Sequence, residues 1–290
     1  MLSVIIDNRE YSLDDGAYGH LIAHDGWGMP VSTRVASQGP LQHGDTDEGQ
    51  FLEPRIGNLV FRVNNPNLDS FYDAREPFME LFHPNNSPRL KFSMNKGIRV
   101  FECFFLDGIS MPWQPGSWGN LRVVVTLKCP DPSCYDPVVR TLTFTSGSGG
   151  GFEIPLMVPI SVGGSTIEDV HNIQYEGTWI EYPKITIVGP IEDVTLTNEA
   201  TDEVLDFTGL SLGSGEQRIV DTRYGFKTVV DGSGVNKIAD LVADSDLATF
   251  HLEHKRIYET SRSNPIAVTG TGSDSNTKVI IRYLERYLGI

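Results

Sequence analysis

Ile56-Gly57-Asn58-Leu59-Val60-Phe61-Arg62-Val63 places Leu59, Phe61 and Val63 on one face of an extended chain. Successive strand side chains point to opposite sides, so this alternation marks a half-buried β-strand. Residues 98–106 (IRVFECFFL) and 121–127 (LRVVVTL) are β-branched and aromatic and read the same way. Further candidate strands are 138–144, 152–158, 184–188, 194–197, 204–207, 218–221, 227–230 and 278–284. Short strands separated by Gly, Asn, Asp and Pro turns predict sandwiches or barrels.

Helical spacing is confined mainly to residues 67–82 (NLDSFYDAREPFMELF). There Leu68, Phe71, Tyr72, Phe78, Met79 and Phe82 recur at roughly helical intervals. Pro77 predicts a kink or a second start within it. Residues 236–243 predict a second, short helix. The Gly-rich run 145–151 is read as a hairpin tip between strands 138–144 and 152–158. The Pro-rich segment 129–137 is then the domain boundary. The expected organisation is a domain at 1–136 and a second at 137–290, in keeping with a 290-residue chain.

Lys and Arg number 23 against 38 Asp and Glu, a formal charge of −15. Such a surface repels phosphate backbones and anionic membranes, so neither nucleic-acid binding nor membrane insertion is expected. Three cysteines, Cys103, Cys129 and Cys134, suit a chain made in a reducing compartment. The apolar start ends at Asp7 without a preceding basic residue and is not read as a signal peptide.

Catalytic and ligand motifs are weak. Gly147-Ser148-Gly149-Gly150-Gly151-Phe152 lacks the final glycine of a dinucleotide loop and the helix that should follow. The spacings His20/His24 and His251/His254 are read as hydrogen-bonded structural histidines. The acidic run Asp45, Asp47, Glu48 is read as a solvated loop. No cofactor, metal or catalytic residue is assigned.

Resemblance adds what spacing does not. Gly177-Thr178-Trp179-Ile180-Glu181-Tyr182-Pro183-Lys184-Ile185-Thr186-Ile187-Val188-Gly189-Pro190 resembles the G-x-W-x-x-x-P-x-I-x-I-x-G-P segment of siphophage distal tail proteins. Arg218-Ile219-Val220-Asp221-Thr222 is similar to that family's L-x-I-D-T strand, and residues 280–290 (IIRYLERYLGI) to its ending. In the first half, the strand at 56–63, the helix with Arg75, then Pro84 and Leu90 follow the family's order. Residues 121–137 resemble its v-v-L-x-c-p-D-P-x-w-Y stretch, with Cys134 at the aromatic position. Residues 11–50 are Gly-rich and divergent.

The resemblance implies a mainly β fold of two β-sandwich-type domains, the first with one α-helix, the second galectin-like. It implies a non-enzymatic subunit of the tail tip, a homo-hexamer ring assembled in the host cytoplasm and carried in the virion. The implied partners are the tail tube protein, the tape-measure protein, the tail-associated hub protein, and receptor-binding proteins or host glycans. A net negative charge suits a lumen that passes DNA without holding it. The region 92–106 is the candidate ring edge, with Phe92, Phe101, Phe104 and Leu106 as contact residues. The competing reading is a carbohydrate-binding, lectin-like baseplate module, with Trp179, Tyr175, Tyr182 and Tyr224 stacking on sugar rings. A glycan-cleaving enzyme ranks third, since it needs a paired acid and base that sequence alone does not locate.

Overall fold

The computed structural model describes residues 1–16, 18–63, 68–112, 121–146 and 166–290. It divides into one unit of Met1–Pro137 with Tyr287–Ile290, and another of Val138–Arg286. The last four residues thus belong to the first unit rather than to a domain running to the chain end. The predicted hairpin at 145–151 and the strand at 152–158 lie largely outside the described residues.

The first unit contains β1 (Leu2–Ile6), β2 (Arg9–Ser12), β3 (His20–Asp25), β4 (Ser32–Ser37), β5 (Thr46–Leu52), β6 (Arg55–Val63), α1 (Leu68–Leu81), β7 (Arg89–Met94), β8 (Gly97–Glu102), β9 (Phe104–Phe105), β10 (Leu121–Cys129) and β11 (Cys134–Tyr135). One sheet runs β2-β1-β7-β8-β11, another β3-β6-β10-β9, and β4 and β5 form a separate pair. The alternation in β10 sends Leu121, Val123, Val125, Leu127 and Cys129 inward. Its partner β6 does the same with Leu59, Phe61 and Val63, and both strands feed one core with residues of β1, β7 and β8. That is a two-layer sandwich.

The predicted single strand at 98–106 is two strands in different sheets. The chain leaves β8 at Cys103, whose N–H turns to the Pro88 carbonyl at 3.0 Å, and enters β9 in the other sheet. Helix α1 runs through Pro77 and buries Phe78, Leu81 and the following Phe82 on the core. The Phe78 ring meets Phe61 edge-on at 5.3 Å. Met79 is exposed. Leu68, Phe71 and Tyr72, part of the same sequence stripe, have side chains outside the described set. The Asn86 amide donates to the Glu80 and Leu81 carbonyls at the helix end.

The parity of β6 also turns Arg55 and Gly57 inward. A Cβ on Gly57 would lie 2.3 Å from the buried Trp27 ring, so only glycine fits there. Arg55 is buried and uses all five guanidinium N–H groups on backbone carbonyls. Nε and Nη2 donate to Pro132 at 3.0 and 2.8 Å, Nη2 to Leu288 at 2.7 Å, and Nη1 to Gly26 at 2.9 Å and Gly28 at 2.5 Å. Its guanidinium carbon stands 4.9 Å from the Phe101 ring centre. One cation therefore ties the Trp27 loop, the 130–133 turn and the chain end together. The tail is held further by Arg99, stacked 3.4 Å over Tyr287, and by the Ile290 N–H on the Trp27 carbonyl at 3.2 Å.

The second unit contains β12 (Arg140–Thr145), β13 (Ile167–Tyr175), β14 (Lys184–Val188), β15 (Ile191–Asn198), β16 (Glu203–Leu212), β17 (Gln217–Asp221), β18 (Thr228–Asp231), β19 (Arg262–Thr271) and β20 (Lys278–Tyr283). A final short strand, β21 (Arg286–Tyr287), adds the chain end to the edge of the first unit's larger sheet. Sheets β12-β20-β14-β17-β18 and β13-β19-β15-β16 enclose a second core. Alternate residues fill it: Ile185 and Ile187, Val194 and Leu196, Leu205 and Phe207, Ile266 and Val268, Val279 and Ile281. The strand pairs within the sheets, β21 aside, are antiparallel, and the protein is mainly β with one α-helix among the described residues. The predicted short helix at 236–243 is a single 3-10 turn at Ile238–Asp240.

Candidate assembly surfaces

β4 and β5 pair with each other and with no other strand among the described residues. Cross-strand partners Thr33 and Phe51, then Val35 and Gly49, lie on one face with Val31. Val31 is 70% exposed, Val35 43% and Phe51 50%. The connecting loop carries Leu41, fully exposed at a φ of 65°. The hairpin is stitched internally. Arg34 Nη1 meets Asp47 Oδ2 at 2.7 Å, the Thr33 hydroxyl donates to Glu53 at 2.9 Å, and the Gln42 amide donates to the Thr46 hydroxyl at 2.9 Å. An isolated two-stranded ribbon is at best marginally stable in water, and this one presents an apolar strip on one face. Its unpaired edges and exposed valines and phenylalanine make it suited to pairing with another chain.

A second surface lies at β9, the last described strand of its sheet. Phe104 and Leu106 are exposed there, and a groove of about 450 Å³ runs beside them, lined in part by Met79, Phe82, Phe105, Ile109 and Met111. The other two candidate ring residues sit differently. Phe92 and Phe101 are on β7 and β8, interior strands of the larger sheet, with both rings packed against Trp27 at 5.7 and 5.2 Å. Their aromatic surface is consumed within the core, so the candidate edge is corrected to β9 and the residues just after it.

The four candidate sugar-stacking aromatics also separate. Tyr175 is buried. Its hydroxyl donates to the Trp179 carbonyl and accepts the Arg286 N–H, each at 2.8 Å. A Cβ on Gly177 would lie 2.4 Å from that ring. Trp179 is half-buried and bridges Arg286 through its backbone. Glu181, also buried, accepts the Leu284 N–H at 3.1 Å and the Arg286 guanidinium. The Pro183 carbonyl accepts the Thr222 hydroxyl at 2.7 Å. The Gly-x-Trp…Gly-Pro segment is therefore a structural seam that locks residues 284–286 in place. Replacing Tyr175 with Phe takes the hydroxyl partner from a part-buried carbonyl and a part-buried N–H. It is expected to cost the second unit about 1–3 kcal/mol in urea unfolding.

Tyr182 and Tyr224 meet edge-on at 5.0 Å. Lys227 Nζ sits 4.0 Å from the Tyr182 centroid and 5.2 Å from that of Tyr224, while donating to the Ala248 carbonyl at 2.7 Å. Burial pushes the Tyr182 hydroxyl up and lowers the Lys227 ammonium from its ordinary value. The protein's own cation thus covers one face of Tyr182. Of the four, Tyr224 is open, at 76% exposure.

The turn that presents Tyr224 is anchored by Asp221. Burial alone would raise its carboxyl, but Arg223 outweighs that, donating from Nε at 2.9 Å and Nη2 at 2.6 Å, and holds it below the usual carboxylate range. A group whose folded value is depressed stabilises the fold above its unfolded pKa and loses that contribution as pH falls through the folded value. Asp221→Asn is therefore expected to lower stability at neutral pH and to flatten its decline below about pH 4. Chemical denaturation across pH would measure both.

His251 pairs with Glu203 at 3.0 Å and His254 with Glu253 at 3.1 Å. Among the described residues, no group of three or more His, Cys, Asp or Glu is placed to hold a metal ion.

Neither protein-family models nor curated proteins match the sequence. Solved structures do. Two structures of the phage P2 baseplate in its activated conformation, with Ca and with Sr, align at TM-scores of 0.47 and 0.48, with 10% and 9% identity and full coverage of both chains. The Dit protein of phage SPP1, described as a paradigm of the hub adsorption apparatus in phages infecting Gram-positive bacteria, aligns at a TM-score of 0.67 with 14% identity. That alignment covers 99% of each chain, so the protein shares the fold of SPP1 Dit along nearly its whole length.

Proposed function

We propose that this chain is a distal tail protein, a structural subunit of a siphophage tail tip. The observation that carries the proposal is the fold match to SPP1 Dit over 99% of both chains. In this reading six copies form a ring, the first unit building the ring wall and the second, galectin-like unit pointing outward. The ring joins the tail tube and tape-measure proteins to the tail-associated hub and carries receptor-binding proteins. It assembles in the host cytoplasm and leaves in the virion, and its role is non-enzymatic.

The unpartnered β4–β5 hairpin and the β9 edge support this reading, since a ring subunit needs two unlike surfaces that meet head to tail. The excess of acidic residues fits a bore that repels DNA. An antibody against the chain is expected to decorate the tail tip of intact virions. Decoration confined to the capsid or along the tube would contradict the assignment.

A second reading, a carbohydrate-binding module, is favoured by one observation: Tyr224 and Phe226 are exposed side chains on one turn of the second unit. A glycan array would separate the two, because a lectin must bind and a ring subunit need not.

A further inference from the structure

Cys103 lies where the chain crosses from β8 into β9, and Cys129 closes β10. β9 and β10 are antiparallel, with Phe105 opposite Leu127 and Phe104 opposite Lys128. One step further, that register sets Cys103 opposite Cys129. The Leu106 N–H bonds to the Thr126 carbonyl at 3.2 Å, and hydrogen-bonded pairs alternate along an antiparallel ladder. Cys103 and Cys129 therefore fall at a non-hydrogen-bonded position, where facing Cα atoms are about 4.5 Å apart and side chains are closest. That separation lies within the window of roughly 4.4–6.8 Å that a disulfide spans. The two sulfurs are 2.8 Å apart and both residues are buried. Cys134 is directed elsewhere, to the Tyr287 and Gly289 carbonyls at 3.5 and 3.7 Å.

We infer that Cys103 and Cys129 are a disulfide-forming pair, which closes once the protein leaves a reducing compartment and fastens the crossover between the two sheets of the first unit. The chemistry balances with a glutathione disulfide as oxidant. The two protein thiols give up two electrons and two protons, one protein S–S bond forms, the glutathione S–S bond breaks, and two glutathione thiols leave. Dissolved dioxygen serves equally, ending as hydrogen peroxide. The contact with Cys129, and then burial, hold the Cys103 thiol well above its ordinary range. Exchange in the folded state is accordingly slow, and a bond once made is shielded.

The test is to refold the full chain in glutathione redox buffer, quench with acid, alkylate under denaturing conditions and map the peptides. The expected map joins the Cys103 and Cys129 peptides and leaves Cys134 alkylated. The bond spans 26 residues of chain and should raise the first unit's Tm by roughly 5–10 °C over the reduced protein. Cys129→Ala should abolish that difference. If the variant does not fold, the map of the unmutated chain decides alone. Three alkylated cysteines after oxidising refolding, or pairing through Cys134, would overturn the inference.

Discussion

Arg55→Met is expected to cost the first unit about 2–4 kcal/mol, since it removes several hydrogen bonds from a charged donor, and that is a large share of what holds a domain of this size together. Methionine has about the same reach and is apolar, so packing volume is roughly kept. What disappears is the donor set for the part-buried Gly26, Gly28, Pro132 and Leu288 carbonyls, each of which loses a bond to a charged donor. Three otherwise unconnected segments lose their common tie, so the Trp27 loop and the chain end should loosen together. Arg55→Lys should fall between the two, since an ammonium offers three donors without the planar fork. Calorimetry of the full chain should show the first unit's transition moving while the second unit's stays. A loss below about 1 kcal/mol, the size of one ordinary hydrogen bond, would mean that the carbonyls find other partners.

Removal of the β4–β5 hairpin is expected to have the opposite signature, with stability retained and assembly lost. The ribbon shares no strand pairing with either sheet of the first unit, so replacing residues 33–51 with a short Gly-Ser link leaves both sheets intact. It does remove the exposed Val35 and Phe51 strip and the two unpaired edges. On the tail-tip proposal the shortened chain should remain monomeric under conditions where the full chain assembles, with Tm within a few degrees. Phe51→Glu is the single-residue version, expected to weaken assembly by placing a charge on the apolar strip. Light scattering reads both. Undiminished assembly of the shortened chain would move the contact to another surface, with β9 next in line.

Much of this architecture can be read from alternation. The patterns at Ile56–Val63, Leu121–Leu127, Lys184–Val188 and, up to Tyr283, at 278–284 lie in strands because each buries one face on a core. Where that condition fails, so does the reading. β4 and β5 are exposed on both faces, so the short alternation Val31-Ser32-Thr33-Arg34-Val35 buries nothing in a core, and the Gly-rich stretch before Gln50 shows no strand signal. β19 was hidden by Pro265, which lacks a ladder donor yet sits opposite Asn172 in β13. Arg55 precedes the alternating stretch at 56–63, and only its register with Cys129 reveals an inward-facing first position. The aromatic residues were the least legible. Residue type does not distinguish Tyr175 and Phe101, sealed in cores, from Tyr224 and Phe104 on the surface. The Gly-x-Trp segment was legible as a signature, but its physical role, seating Tyr175 and Glu181 against residues 284–286, needed coordinates.

The most direct test of the tail-tip account is the mass and shape of the purified full chain, by light scattering followed by negative-stain imaging. The account predicts a closed ring of six copies of the 32.1 kDa chain with a central hole. A monodisperse monomer that persists to the highest attainable concentration, with no rings on the grid, would contradict it.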